Sequence, residues 1–208
     1  MLRLALVSFI FLAALPALAG AQKEEALSLS VATAMQRSIS DRTEPRLVFT
    51  NPGDGKAWLA EMSTRLQKKI PDDFMREKLL TAIHYEATRA GLDPQLVLGL
   101  IQVESGFRKY AISSVGARGL MQVMPFWQRS IGNNEHNLFD MYTNLRFGCT
   151  ILRHYLDIER GDLYRALGRY NGSLGKPEYP NLVLGAWKNQ WNWQTNPAHI
   201  QAVSYVSK

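Results

Sequence analysis

Between Val103 and Pro125 the chain reads VESGFRKYAISSVGARGLMQVMP. One carboxylate, Glu104, stands near the start of this stretch, and the next along the chain is Glu135. Gly106, Gly116 and Gly119 interrupt the residues between, so the backbone turns repeatedly just after the acid. Immediately upstream, Asp93 suits an N-cap and Pro94 a first helical turn. Leu96, Val97, Leu100, Ile101 and Val103 then make the segment apolar over much of its girth, which predicts a buried central helix ending at Glu104-Ser105-Gly106. A carboxylate placed there has its charged form disfavoured twice, by burial and by the negative end of the helix dipole. A carboxyl that keeps its proton near neutrality is what a general acid requires. Most helix-end acids simply reach water, so position alone does not decide the matter.

Working outward, Asp72 or Asp73 starts a helix that runs to Ala90, with Phe74, Leu79, Ile83 and Ala87 near one face and Gly91 at its end. Before it, Asp54 caps a helix over roughly 55–69, stopped by Pro71, and 22–53 reads as a loose lead or a peripheral helix. Downstream, Phe107 to Arg118 reads as loops or short extended pieces. Gly119 to Gln122 reads as the start of a helical element restarted at Pro125. Asp140 to Glu159 is amphipathic, with Leu145, Cys149, Ile151, Leu152, Tyr155 and Leu156 on its apolar side and Gly161 as its stop. Asp162 caps a shorter helix through Tyr170, Asn171-Gly172 turns the chain, and a last helix runs from Pro180 to about Trp191. The fold class is mainly α, with at most a small hairpin between 107 and 118 beside the acid.

The N-terminus has a different pattern. Arg3 precedes a nearly unbroken apolar run from Leu4 to Leu15, and Pro16-Ala17-Leu18-Ala19 comes next. That order reads as a secretory signal peptide over 1–19, cleaved at about 19–21. The expected organisation is therefore a signal peptide, an N-terminal extension over 22–71 with one helix, a catalytic domain over 72–193 and a tail over 194–208. The single cysteine, Cys149, allows no internal disulfide, and none ends the apolar run, so export without a lipid anchor is expected. Cys149 falls in an apolar helical pattern and reads as a buried structural thiol.

The net charge is +6 and is spread along the chain, with Lys68-Lys69 its longest basic run, which argues against nucleic acid and fits an anionic wall. His84, His136, His154 and His199 lie far apart, HExxH is absent and no phosphate loop appears, so neither a metal nor another cofactor is implied. Tyr110, Phe126, Trp127, Tyr142 and Tyr179 could stack on sugars, although such aromatics are more often core. Trp187, Trp191 and Trp193 are read as pinning the last helix to the body.

The series Glu104-Ser105-Gly106-Phe107, Ala111-x-Ser113, Gly116 through Gln122, and Met124-Pro125 resembles the catalytic core of the soluble lytic transglycosylases. Asn144 and Gly148 through Tyr155-Leu156, then Ala166 through Gly172, resemble the rest of that domain, and the likeness covers about 72–191. It implies a lysozyme-like α+β fold and a bacterial enzyme of the periplasm that cleaves peptidoglycan. By the same likeness Glu104 is the one catalytic acid and base, and Ser105 orients it or the substrate. Met121 and Gln122 line the sugar groove, Tyr170 hydrogen-bonds near Glu104, and Asn171 meets the N-acetyl group. Arg169 departs from the small residue usual before the Tyr-Asn pair, which bears on groove charge.

Most glycosidases need two carboxyl groups flanking the bond, and 105–134 supplies no second one. The expected activity is non-hydrolytic cleavage of the MurNAc–GlcNAc β-1,4 bond, leaving 1,6-anhydro-MurNAc ends. The alternatives are a lysozyme-type hydrolase of the same fold and a non-catalytic wall-binding module. The implied partners are glycan strands and, for a wall-opening role, a cell-envelope secretion or pilus assembly.

Overall fold

The computed structural model describes residues 22–194. The signal-peptide reading of 1–19, its cleavage point before Gln22, and the tail over 195–208 lie outside the described residues. Aspartates set four of the eight α-helix starts among the described residues. α3 (Asp73–Arg89), α4 (Pro94–Glu104), α6 (Met141–Ile158) and α7 (Leu163–Asn171) each begin behind an Asp whose carboxylate accepts a backbone N–H of the first turn. Those caps are Asp72, Asp93, Asp140 and Asp162, where the sequence places them. α5 (Pro125–Ile131) restarts at its proline as expected. α8 (Glu178–Ala186) begins slightly before Pro180 and runs into a wider π-type turn, Trp187–Trp191.

Three expectations change. The segment 22–71 holds two helices where one was expected, α1 (Leu29–Ser40) and α2 (Pro52–Leu66). The cap of α2 is Asn51, whose side chain accepts from Gly53 at 2.9 Å, because Pro52 fits the first helical position and leaves Asp54 inside the first turn. Residues 119–122 are a tight turn and not a helical start. Arg118 pairs with Val123 across it and with Ile112 on its other side, so the small hairpin reaches beyond 118. The backbone explains this: Gly119 has φ +75° and Gln122 φ +49°, which a right-handed helix forbids.

The molecule is mainly α, and α4 lies at its centre, packed against α3, α8 and the π turn. Leu98, Leu100 and Ile101 of α4 are fully buried. The same core takes Met35 and Ile39 from α1 and Trp58, Met62 and Leu66 from α2. Below the apolar layer Glu86 of α3 is wholly buried and takes Arg89 at 2.8 Å and Arg146 of α6 at 2.9 Å. Arg89 goes on to the Ser38 hydroxyl of α1 at 2.7 Å, so one charge cluster ties three helices. Cys149 is buried, as its pattern implies, and burial pushes its thiol far above the usual range.

Candidate active site

Glu104 is the last residue of α4 and only 7% exposed. The chain leaves it through Ser105, whose hydroxyl donates back to the Ile101 carbonyl at 3.2 Å and closes the helix. Burial raises the Glu104 carboxyl from the ordinary range to about 8. One contact works against that rise: the Tyr179 hydroxyl donates to Glu104 Oε1 at 2.5 Å and favours the ionised form. Tyr179 is itself buried in the first turn of α8, and burial, together with the Glu104 charge, holds its own proton firmly in place. Gly99 of α4 lets α8 come this close, since a methyl there would meet the Trp187 backbone nitrogen at 2.9 Å. The π turn continues the contact: Trp191 donates to Gln102 at 2.7 Å and sets its ring edge against Phe107.

The turn at 119–122 is held against α6. Gly119 approaches so closely that an added Cβ would lie 2.4 Å from the Asn144 amide. That amide is the anchor of the turn: it donates to Arg118 O and Leu138 O and accepts from Met121 N–H, each at 2.8 Å. Gln122 is 5% exposed, and its own amide donates to Gly119 O at 2.9 Å and Ala111 O at 3.2 Å. Phe107, three residues after the acid, joins Gln122 in the left-handed region, at φ +67°.

Several expected site residues sit differently. Met121 is fully buried in the space above Gly148, so its side chain belongs to the core and does not line a groove. Tyr170 is also fully buried, and its hydroxyl donates to the Met121 carbonyl at 2.7 Å. Its charge environment includes Glu104, but the tyrosine bonded to the acid is Tyr179. The sequence marks Tyr179 only as an aromatic, and nothing in its spacing tells which tyrosine reaches the acid. Asn171 ends α7 at 5% exposure beside Tyr170. Arg169 turns to Glu159 and, at 3.3 Å, to Glu25, so its charge is engaged away from Glu104. Of the other aromatics, Phe126 and Trp127 are buried, Tyr142 is half-buried and Tyr110 is exposed.

Residues 81–180 match the family model of the transglycosylase SLT domain. The chain carries an SLT domain. A transglycosylase of Enterobacteria phage PRD1 is 40% identical over 100 residues, covering 45% of this chain and 37% of that protein. The membrane-bound lytic murein transglycosylase C of Haemophilus influenzae (strain PittEE) is 52% identical over 93 residues, 38% of this chain and 26% of that protein. Its namesake from Mannheimia succiniciproducens is 37% identical over 84 residues, 36% of this chain and 24% of that protein. The chain thus spans well under half the length of these relatives. Glu104, Gln122, Tyr170 and Tyr179 fall inside the SLT match, whereas α1, α2 and the residues before them fall outside it. Among the described residues no helix is long and apolar enough to cross a membrane.

Proposed function

We propose that the SLT domain is a peptidoglycan lytic transglycosylase that works with one carboxyl group. The observation that carries this reading is Glu104 itself, buried at the end of α4, where burial raises its carboxyl to about 8. Its proton passes to the glycosidic oxygen between MurNAc and GlcNAc, and the C1–O bond breaks as that oxygen leaves as a hydroxyl. The substrate's own N-acetyl group stabilises the positive centre. The Glu104 carboxylate, hydrogen-bonded by Tyr179, then takes the proton of the muramyl 6-hydroxyl as O6 bonds to C1. The acid is restored, no water is consumed and the product ends in 1,6-anhydro-MurNAc.

Other carboxylates support a single-acid scheme by having other work. Glu86, the other buried one among the described residues, faces Arg89 and Arg146. Asp140, which could have folded back toward the site, caps α6 through Thr143 N–H at 2.9 Å. Ser105, Gln122 and Asn171 are read as groups that shape the sugar site. Met121 and Tyr170 act through the backbone beneath it. Export to a bacterial periplasm, glycan strands as substrate, and a secretion or pilus assembly as the setting complete the proposal.

Mass spectrometry of digested walls tests it. The expected products are lighter by one water than hydrolytic ones, and Glu104→Gln should lower turnover by several orders of magnitude while keeping glycan binding. Products with free reducing ends alone would overturn the lytic reading in favour of a hydrolase.

A further inference from the structure

A cavity of about 480 Å³ opens at the end of α4 opposite Glu104, where residues outside the SLT match close on residues inside it. Phe49, Trp58 and Trp193 come from outside the match, and His84 of α3 and Gln95 of α4 from within it. Gln95 and Glu104 stand nine residues apart on one helix, so the cavity lies about 14 Å along α4 from the acid.

Several polar groups on these residues have bonds to spare. Trp58 is 1% exposed, and its indole N–H meets no acceptor among the described residues. A buried donor without a partner is uncommon in a folded protein, and a ligand oxygen would satisfy it. His84 is buried too, and its Nδ1 accepts the Val48 backbone N–H at 3.4 Å, which places the proton of the neutral ring on Nε2. Burial lowers His84 to about 4, so the ring carries no charge at neutral pH. Gln95 donates from its amide nitrogen to the Trp193 carbonyl at 2.9 Å, which leaves its amide oxygen as an acceptor.

Phe49 and Trp193 are half-buried and keep ring surface free. Phe49 stacks on His84 at 4.3 Å between centroids and meets Trp193 almost at a right angle, at 6.4 Å. No residue lining the cavity carries a charge at neutral pH, so an anion finds no cation there and a cation finds no carboxylate. Aromatic surface with neutral N–H donors and an amide acceptor suits a sugar ring. Its C–H face stacks on the aromatics, while its hydroxyls and acetamido group answer the polar groups. We propose that this cavity is a second glycan site, which holds one N-acetylated sugar of a wall strand while Glu104 acts elsewhere on the polymer. The choice of sugar rests on the proposed activity on peptidoglycan, and the cavity and its donors stand apart from it. Held at two points, the chain stays on the wall longer than the groove at Glu104 alone would keep it.

The test uses the full chain carrying Glu104→Gln, titrated with tri-N-acetylchitotriose and followed through its indole N–H signals by nitrogen-15 NMR. Trp58→Phe and Trp193→Ala identify the two signals by their loss, and the Trp193 signal suffices if Trp58→Phe does not fold. Both signals should move with the acetylated sugar and stay in place with cellotriose, which has the same linkage and no acetamido group. Signals that stay still at saturation overturn the inference, as does an equal movement with cellotriose. On purified cell walls, Trp193→Ala should weaken retention about three- to tenfold. With Glu104 intact, the same variant should cleave short soluble glycans at the parent rate. Undiminished retention, or an equal loss of rate on short glycans, also overturns the inference. Wall digestion by the parent chain is measured in parallel. Anhydro products with unmoved indole signals remove the second site and spare the proposed activity, whereas absence of those products removes that activity itself.

Discussion

Glu104 combines two opposed influences, and their balance makes a testable pH profile. Burial raises its proton affinity and the Tyr179 hydroxyl opposes the rise, leaving the carboxyl at about 8. The first chemical step needs the protonated form, so turnover of wall glycan should hold steady around neutrality and fall as pH rises through about 8. Tyr179→Phe removes a donor to the ionised form, so the carboxyl should rise further and the fall should move to higher pH. The second step needs the carboxylate, and it loses a charge-assisted bond, so the rate should also drop about ten- to a hundredfold. Initial rates across pH for both proteins check this, and an unmoved profile would mean that Tyr179 does not govern the acid. The acid is legible in the sequence because a lone carboxylate ends an apolar helix. Its partner is not, because Tyr179 arrives through the crossing of α8 over α4, a tertiary fact that no local spacing encodes.

At the level of elements, the helices are legible where a cap residue carries the signal. Asp72, Asp93, Asp140 and Asp162 each do locally what an aspartate before an apolar run can do. The turn at 119–122 is not, because Leu120, Met121 and Gln122 are sound helix formers in isolation. Asn144, on another helix, overrides that preference by taking Met121 N–H, Arg118 O and Leu138 O together. Asn144→Ala would leave Met121 N–H and Leu138 O unanswered in a buried place, and would strip Arg118 O of one of its two donors, the other being Val123 N–H at 2.9 Å. The expected loss is about 3 kcal/mol at roughly 1 kcal/mol net for each bond, with more if no water enters. Urea unfolding measures it, and turnover should fall with it because Gln122 is held by the same turn. A loss well under 1 kcal/mol would show that the turn stands without its anchor.

For the whole molecule, the main departure from the sequence expectation concerns 22–71. That stretch is polar and mixed, so its few large apolar residues give no clear face and it reads as an appendage. In the fold Met35, Ile39, Trp58, Met62 and Leu66 enter the same core as α4. Trp58 is 1% exposed and sets its ring edge against His84, which itself stacks on Phe49 at 4.3 Å between centroids. Removing the indole should therefore destabilise the whole unit, by about 3–5 kcal/mol for Trp58→Ala. Trp58→Phe should cost less, because it keeps most of the packing, and among the described residues the indole N–H meets no acceptor. Unfolding monitored at once by tryptophan fluorescence and by helical circular dichroism decides the point. One shared transition, displaced to lower denaturant in Trp58→Ala, means that α1 and α2 are part of the body that holds Glu104. Were they an appendage, the helical signal of the remaining body would unfold where it does in the parent chain, and only the local fluorescence would shift.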